Sequence, residues 1–184
     1  MKSGIRILAI DDSSFRRTDK NVLVVGVVKR LDSIEGIISC RVEADGNDAT
    51  AKIARMISGS RFFEQVKLIV INGTTVAGLN VVDIAKLHLT FKIPVIALTR
   101  DKPHAQELKR SIKSSDSRGY HAKAAILDRI SKAARLERLG GFYLQQIGIE
   151  SHDSSRYIAD ASAALRLAHM IASGVVRGES RGRV

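Results

Sequence analysis

Hydrophobic residues along this chain come first in short unbroken runs and later at helical spacing. Gly4 to Ile10 is an apolar run ending at Asp11-Asp12, and Asn21 to Lys29 (NVLVVGVVK) is a Val-rich run too short for a helix. Gly36 to Glu43 (GIISCRVE) is a third strand with partial alternation. The connections between these runs are too short for a crossover helix, so they predict a three-stranded antiparallel meander. From Asp48 to Ile57 the spacing changes: Ala51, Ile53, Ala54 and Ile57 share one helical face, with Asn47 or Asp48 as cap. Val66 to Ile71 and Pro94 to Leu98 read as strands joined by a helix, capped by Asn80, whose inner stripe is Val81, Ile84, Leu87 and Phe91. That unit implies a parallel pair. Helices are expected at 104–113 and 120–138, stopped by Gly140-Gly141, then an edge strand over Phe142 to Ile149 and a final amphipathic helix from Ser155 to Ser173.

This order is a mixed α/β fold, and it differs from a dinucleotide-binding fold, which would begin βαβ. No repeat, low-complexity segment or linker interrupts it, so residues 1–184 are read as one domain, with 175–184 as a basic C-terminal tail.

Composition supports a packed domain, since 45% of the 184 residues are hydrophobic. No apolar run approaches the roughly 20 residues of a membrane span. The amino terminus carries no signal-peptide pattern. One cysteine, Cys40, permits no internal disulfide and reads as a buried apolar residue, consistent with a cytoplasmic setting. The charge changes the picture more. Thirty Lys and Arg against 19 Asp and Glu leave a net +11, and residues 100–138 alone hold +6 of it. Such an excess on apparent helices points to an anionic partner, nucleic acid before membrane. Lys102, Lys109, Arg110, Lys113, Arg118 and Lys123 are the candidates for a phosphate track.

Three segments are candidates for chemistry. Asp11-Asp12-Ser13-Ser14 ends the first strand, where a carboxylate on a rigid element suits a hard cation that also binds phosphate oxygens; a plain turn explains the same residues. Asp45-Gly46-Asn47-Asp48 follows the third strand, and its acids either complete such a site or cap a helix. Asn72-Gly73-Thr74-Thr75-Val76-Ala77-Gly78 has two glycines at P-loop spacing, but Leu79-Asn80 stands where Lys-Ser/Thr is required, so a triphosphate cradle is not expected. The five histidines, 88, 104, 121, 152 and 169, form no HxH or HExxH pair that would suggest zinc.

These segments carry a resemblance. Through IDDSSF, DGNDAT, NGTTVAGLNVVDIAKLH and GESRGRV the chain resembles an uncharacterised, mainly archaeal family related to endonuclease V, within the ribonuclease H-like superfamily. The resemblance implies a ribonuclease H-like mixed sheet flanked by helices. It also implies an Mg2+- or Mn2+-dependent phosphodiester hydrolase acting on DNA or RNA near a deaminated base. Asp11 matches the first-strand Asp of such enzymes, Asp45 or Asp48 is nearest to their middle acid, and Arg100 falls where they carry a Lys. Their third ligand, an Asp followed by Gly, is replaced here by Asn72-Gly73. Asn72 offers a neutral carbonyl and removes one negative charge from the site. Two readings follow: a metal-dependent endonuclease, or a nucleic-acid-binding module that kept the scaffold and lost or weakened the reaction. A small-molecule enzyme or a subunit of a complex remains a third class, because fold does not fix function.

Overall fold

The computed structural model describes residues 4–115 and 119–180. Seven strands form one sheet: β1 (Arg6–Asp12), β2 (Asn21–Arg30), β3 (Ser33–Glu43), β4 (Val66–Asn72), β7 (Val95–Thr99), β8 (Arg135–Leu139) and β9 (Phe142–Ile147). Their spatial order is β3-β2-β1-β4-β7-β9-β8. The first three are antiparallel, β1, β4 and β7 run parallel, and β9 and β8 return antiparallel at the far side. A meander followed by parallel strands is the ribonuclease H-like order expected from the sequence. A two-stranded ribbon, β5 (Thr75–Val76) and β6 (Asn80–Val81), sits between β4 and the next helix.

The five helices are α1 (Ala49–Ser58), α2 (Ile84–Phe91), α3 (Ala105–Ser115), α4 (Tyr120–Ala133) and α5 (Ser151–Arg177). Strand alternation divides the core between the two faces of the sheet. Leu8, Ile10, Ile69, Ile71 and Ala97 face α1 and α2, meeting Ile53, Ile57, Ile84 and Leu87. Ile7, Ala9, Leu68, Val70, Ile96 and Leu98 face α5, meeting Tyr157, Ala161, Ala164 and Leu165.

Four expectations are corrected. The helix expected from Asn80 begins at Ile84, capped by Asp83, whose Oδ1 accepts from the Lys86 amide at 2.9 Å. Asn80 is instead fully buried, and its side chain joins Glu43 O, Asp48 Oδ1 and the Ala49 amide. The helix expected over 120–138 ends at Ala133, because Arg135–Leu139 pairs with β9 through Gly140-Gly141. Both glycines have positive φ (55° and 81°), the backbone of a tight hairpin turn. The strand after Gly141 is therefore interior, and β8 forms the edge. Finally, α5 extends to Arg177, so the first residues of the expected tail are helical.

Candidate active site

Parallel pairing places the carboxyl ends of β1, β4 and β7 side by side, with Ile10 opposite Ile71 and Asn72 opposite Leu98. Period-two alternation then sorts the residues at those ends. Asp11 continues the row of Ile7 and Ala9, Asn72 that of Leu68 and Val70, and Arg100 that of Ile96 and Leu98, so all three belong to the α5 face. They line one cleft of about 540 Å3, and α5 closes it with Ser162, Leu165, Arg166, His169 and Met170.

Asp11 is 3% exposed, yet both of its oxygens are engaged. The Asn72 side-chain amide donates to them at 3.2 and 3.1 Å. From the other side His169 Nδ1 lies 3.3 Å from Asp11 Oδ2, while its Nε2 is 3.4 Å from Ser173 Oγ. The hydrogen bond to Asp11 raises the imidazole pKa above its ordinary value against the opposing effect of burial. Arg100 and Arg166, both exposed, add positive charge at the same opening.

Asp12 takes the opposite direction. Its Oδ2 accepts from the Ala77 amide at 2.6 Å, on the α1 and α2 side of the sheet. Burial pushes its carboxyl up to about 6, the Ala77 hydrogen bond opposes this, and the neighbouring Asp11 charge adds to it.

Comparison with known proteins gives this arrangement a family. Residues 3–176 match the family model described as endonuclease dU. The chain belongs to the endonuclease dU family. A UPF0215 protein of Methanothermobacter thermautotrophicus is 38% identical over 190 residues, covering 99% of this chain and 93% of its own. The crystal structure of a protein of unknown function from Archaeoglobus fulgidus DSM 4304 superposes with a TM-score of 0.83 at 31% identity, over 95% of this chain and 99% of its own. The catalytic domain of human endonuclease V is a remote likeness, with a TM-score of 0.49 and 10% identity over 89% of this chain and 82% of its own.

In this endonuclease dU family chain, the acids expected beside Asp11 are used elsewhere. Asp45, with φ of 54°, turns its Oδ1 to the Leu79 amide at 2.8 Å. Asp48 accepts from the Glu43 amide and Asn80 and pairs with Lys52 at 2.6 Å. These contacts together outweigh burial and lower its pKa. Neither acid lines the cleft: Asp45 turns to the segment after β4 and Asp48 to the start of α1, on the face of the sheet opposite α5. Among the described residues, no group of three or more His, Cys, Asp or Glu is arranged to hold a metal ion.

The basic candidates also divide. Lys102 lines a second cavity beside the cleft. Lys109 pairs with Asp128, Lys113 lies 5.9 Å from the Tyr120 ring, and Arg110 is exposed on α3. Lys123 is corrected: it is fully buried, with Nζ donating to Asp45 O at 2.6 Å, so it anchors α4 and does not meet phosphate. Arg118 lies outside the described residues. His169 and Arg166 stand outside the candidates expected from the sequence, because no paired-histidine or strand-end motif contains them. Their signal was Ser162, Leu165, Arg166, His169 and Met170 recurring every three or four residues on one face of an amphipathic helix.

Proposed function

We propose that this protein is an endonuclease that cuts a phosphodiester beside a deaminated base, with deoxyuridine in DNA as the first substrate to try. The family's name supports that choice of base. The observation that carries the reading is the meeting of Asp11, Asn72 and His169 at the ends of parallel strands, with Arg100 and Arg166 at the same opening.

The donor set decides how many cations suit the site. A two-cation centre holds its ions about 3.5–4 Å apart by shared carboxylates, and among the described residues the cleft has one carboxylate, Asp11. One Mg2+ or Mn2+ fits, with the Asp11 carboxylate and the Asn72 side-chain oxygen as its ligands, after the Asn72 amide turns over. Bound there, the ion would neutralise charge on the phosphate and acidify water. Arg100 holds the oxygens of that phosphate, and Arg166 at the same opening holds the strand. His169 lies 3.3 Å from Asp11, and its imidazolium delivers a proton from Nε2 to the leaving oxygen once substrate replaces the long Ser173 contact.

The test is cleavage of DNA containing one deoxyuridine, with Mg2+ or Mn2+, by wild type and Asp11→Ala. Nicking by wild type that is lost in the variant supports the reading; equal nicking by both, or none by either on uracil- and inosine-containing DNA and RNA, rejects it. Asn72 favours a second reading, a nucleic-acid-binding module that no longer cuts, because its amide donates to the carboxylate a cation would need. Cleavage gained by Asn72→Asp in a protein that otherwise only binds would establish that reading.

A further inference from the structure

The reaction centre has two cavities of nearly equal size, one on each side. The cleft under α5 measures about 540 Å3, and a second cavity of about 530 Å3 lies toward α3 and α4. They share one wall, Asn72, Thr99 and Arg100, the carboxyl ends of β4 and β7. Each combines apolar surface with a cation. Phe142, Leu165 and Arg166 line the first, while Leu108, Leu127 and Lys102 line the second. Both volumes lie in the range of small-molecule sites, roughly 300–1,000 Å3.

Resting on the endonuclease reading above, we propose that the substrate is an unpaired strand splayed across this wall. One nucleoside enters each cavity, and the phosphate between them sits on Arg100. The cavity under α5 is then a seat for the neighbouring nucleoside, with the Phe142 ring as its apolar contact and Arg166 on the next phosphate.

The geometry of the sheet requires the splaying. Elements packed on a sheet stand on the order of 10 Å from it, whereas stacked nucleotides advance about 3.4 Å along a strand. Two consecutive bases cannot remain stacked and also occupy cavities on opposite faces. In a duplex, both would have to leave their pairs, at a few kcal/mol for each base extruded. An unpaired strand avoids that cost, and base contact with aromatic and apolar side chains favours it.

The experiment measures binding in EDTA, so cleavage does not enter. A labelled single strand with one deoxyuridine is compared with the same strand in a duplex by fluorescence anisotropy over a salt series. Expected is at least tenfold tighter binding of the single strand. Ser162→Phe and Ser131→Phe, which fill the two cavities from helix positions, each reduce single-strand affinity several-fold at unchanged melting temperature. Arg166→Ala lowers the slope of log affinity against log salt by about 0.7, the loss of one single-strand phosphate contact. Duplex binding as tight as single-strand binding, or undiminished affinity in either cavity-filling variant, overturns the inference while leaving the cleavage assay to judge the endonuclease reading. Absence of binding to either form in EDTA likewise overturns the inference, and the cleavage assay with Mg2+ or Mn2+ judges the endonuclease reading separately.

Discussion

The imidazole of His169 and the carboxylate of Asp11, from opposite ends of the chain, face each other at 3.3 Å over the carboxyl end of the sheet. The hydrogen bond stabilises the charged imidazole, so the native state holds its proton more tightly than the unfolded chain. Stability from this pair is fully present below the ordinary imidazole pKa of about 6.5 and is lost as pH rises through the raised native value. Titration of the His169 ring by NMR should show a pKa above the ordinary one that falls back in Asp11→Asn.

If His169 delivers a proton to the leaving oxygen, His169→Gln should cut the single-turnover rate by about 100- to 10,000-fold. Binding of the uncut strand in EDTA should change by less than about threefold, since Arg100 and Arg166 remain. Comparing single-turnover rate with binding separates this from a folding defect, which would lower both.

Asp12 should destabilise the fold at neutral pH. Its pKa is raised by burial to about 6, so the native state favours the protonated form. The stability that protonated Asp12 contributes is full below the ordinary value near 3.8 and is lost as pH rises through about 6. Asp12→Asn keeps an oxygen for the Ala77 amide and removes the charge. We expect it to stabilise the protein by about 1–2 kcal/mol at pH 7.5, and by much less at pH 4. Urea unfolding at both values checks this, and an equal gain at both would rule out charge as the cause.

Lys123 and Lys102 should behave oppositely although both are lysines of the basic block. Lys123→Ala empties a fully buried site and removes the hydrogen bond to Asp45 O, a loss of about 2–5 kcal/mol. The folded variant should keep its strand affinity and salt slope. Lys102→Ala, at an exposed position on the second cavity, should leave the melting temperature unchanged and weaken binding.

Much of the sheet was legible from local pattern, because alternation and helical spacing are properties of neighbours along the chain. The same alternation already separated Asp11 from Asp12: Ile7, Ala9 and Asp11 form one row and Leu8, Ile10 and Asp12 the other. That Asn72 and Arg100 share the face of Asp11 follows only from the parallel pairing of β1, β4 and β7. What no local pattern carried was the pairing of segments distant in sequence. Arg135–Leu139 is a strand because β9 lies beside it, against the helix expected over 120–138.

Asp45 and Asp48 looked equivalent to Asp11 as acids near strand ends, and only the packing of the sheet placed their contacts on the face opposite the cleft. Lys123 resembled its basic neighbours until α4 turned it inward onto Asp45. His169 became part of the site because α5 crosses the face toward which Asp11 points. Periodicity determines which way a side chain leaves its own element; what it meets there depends on which distant element packs against that face, and that is settled by the tertiary fold.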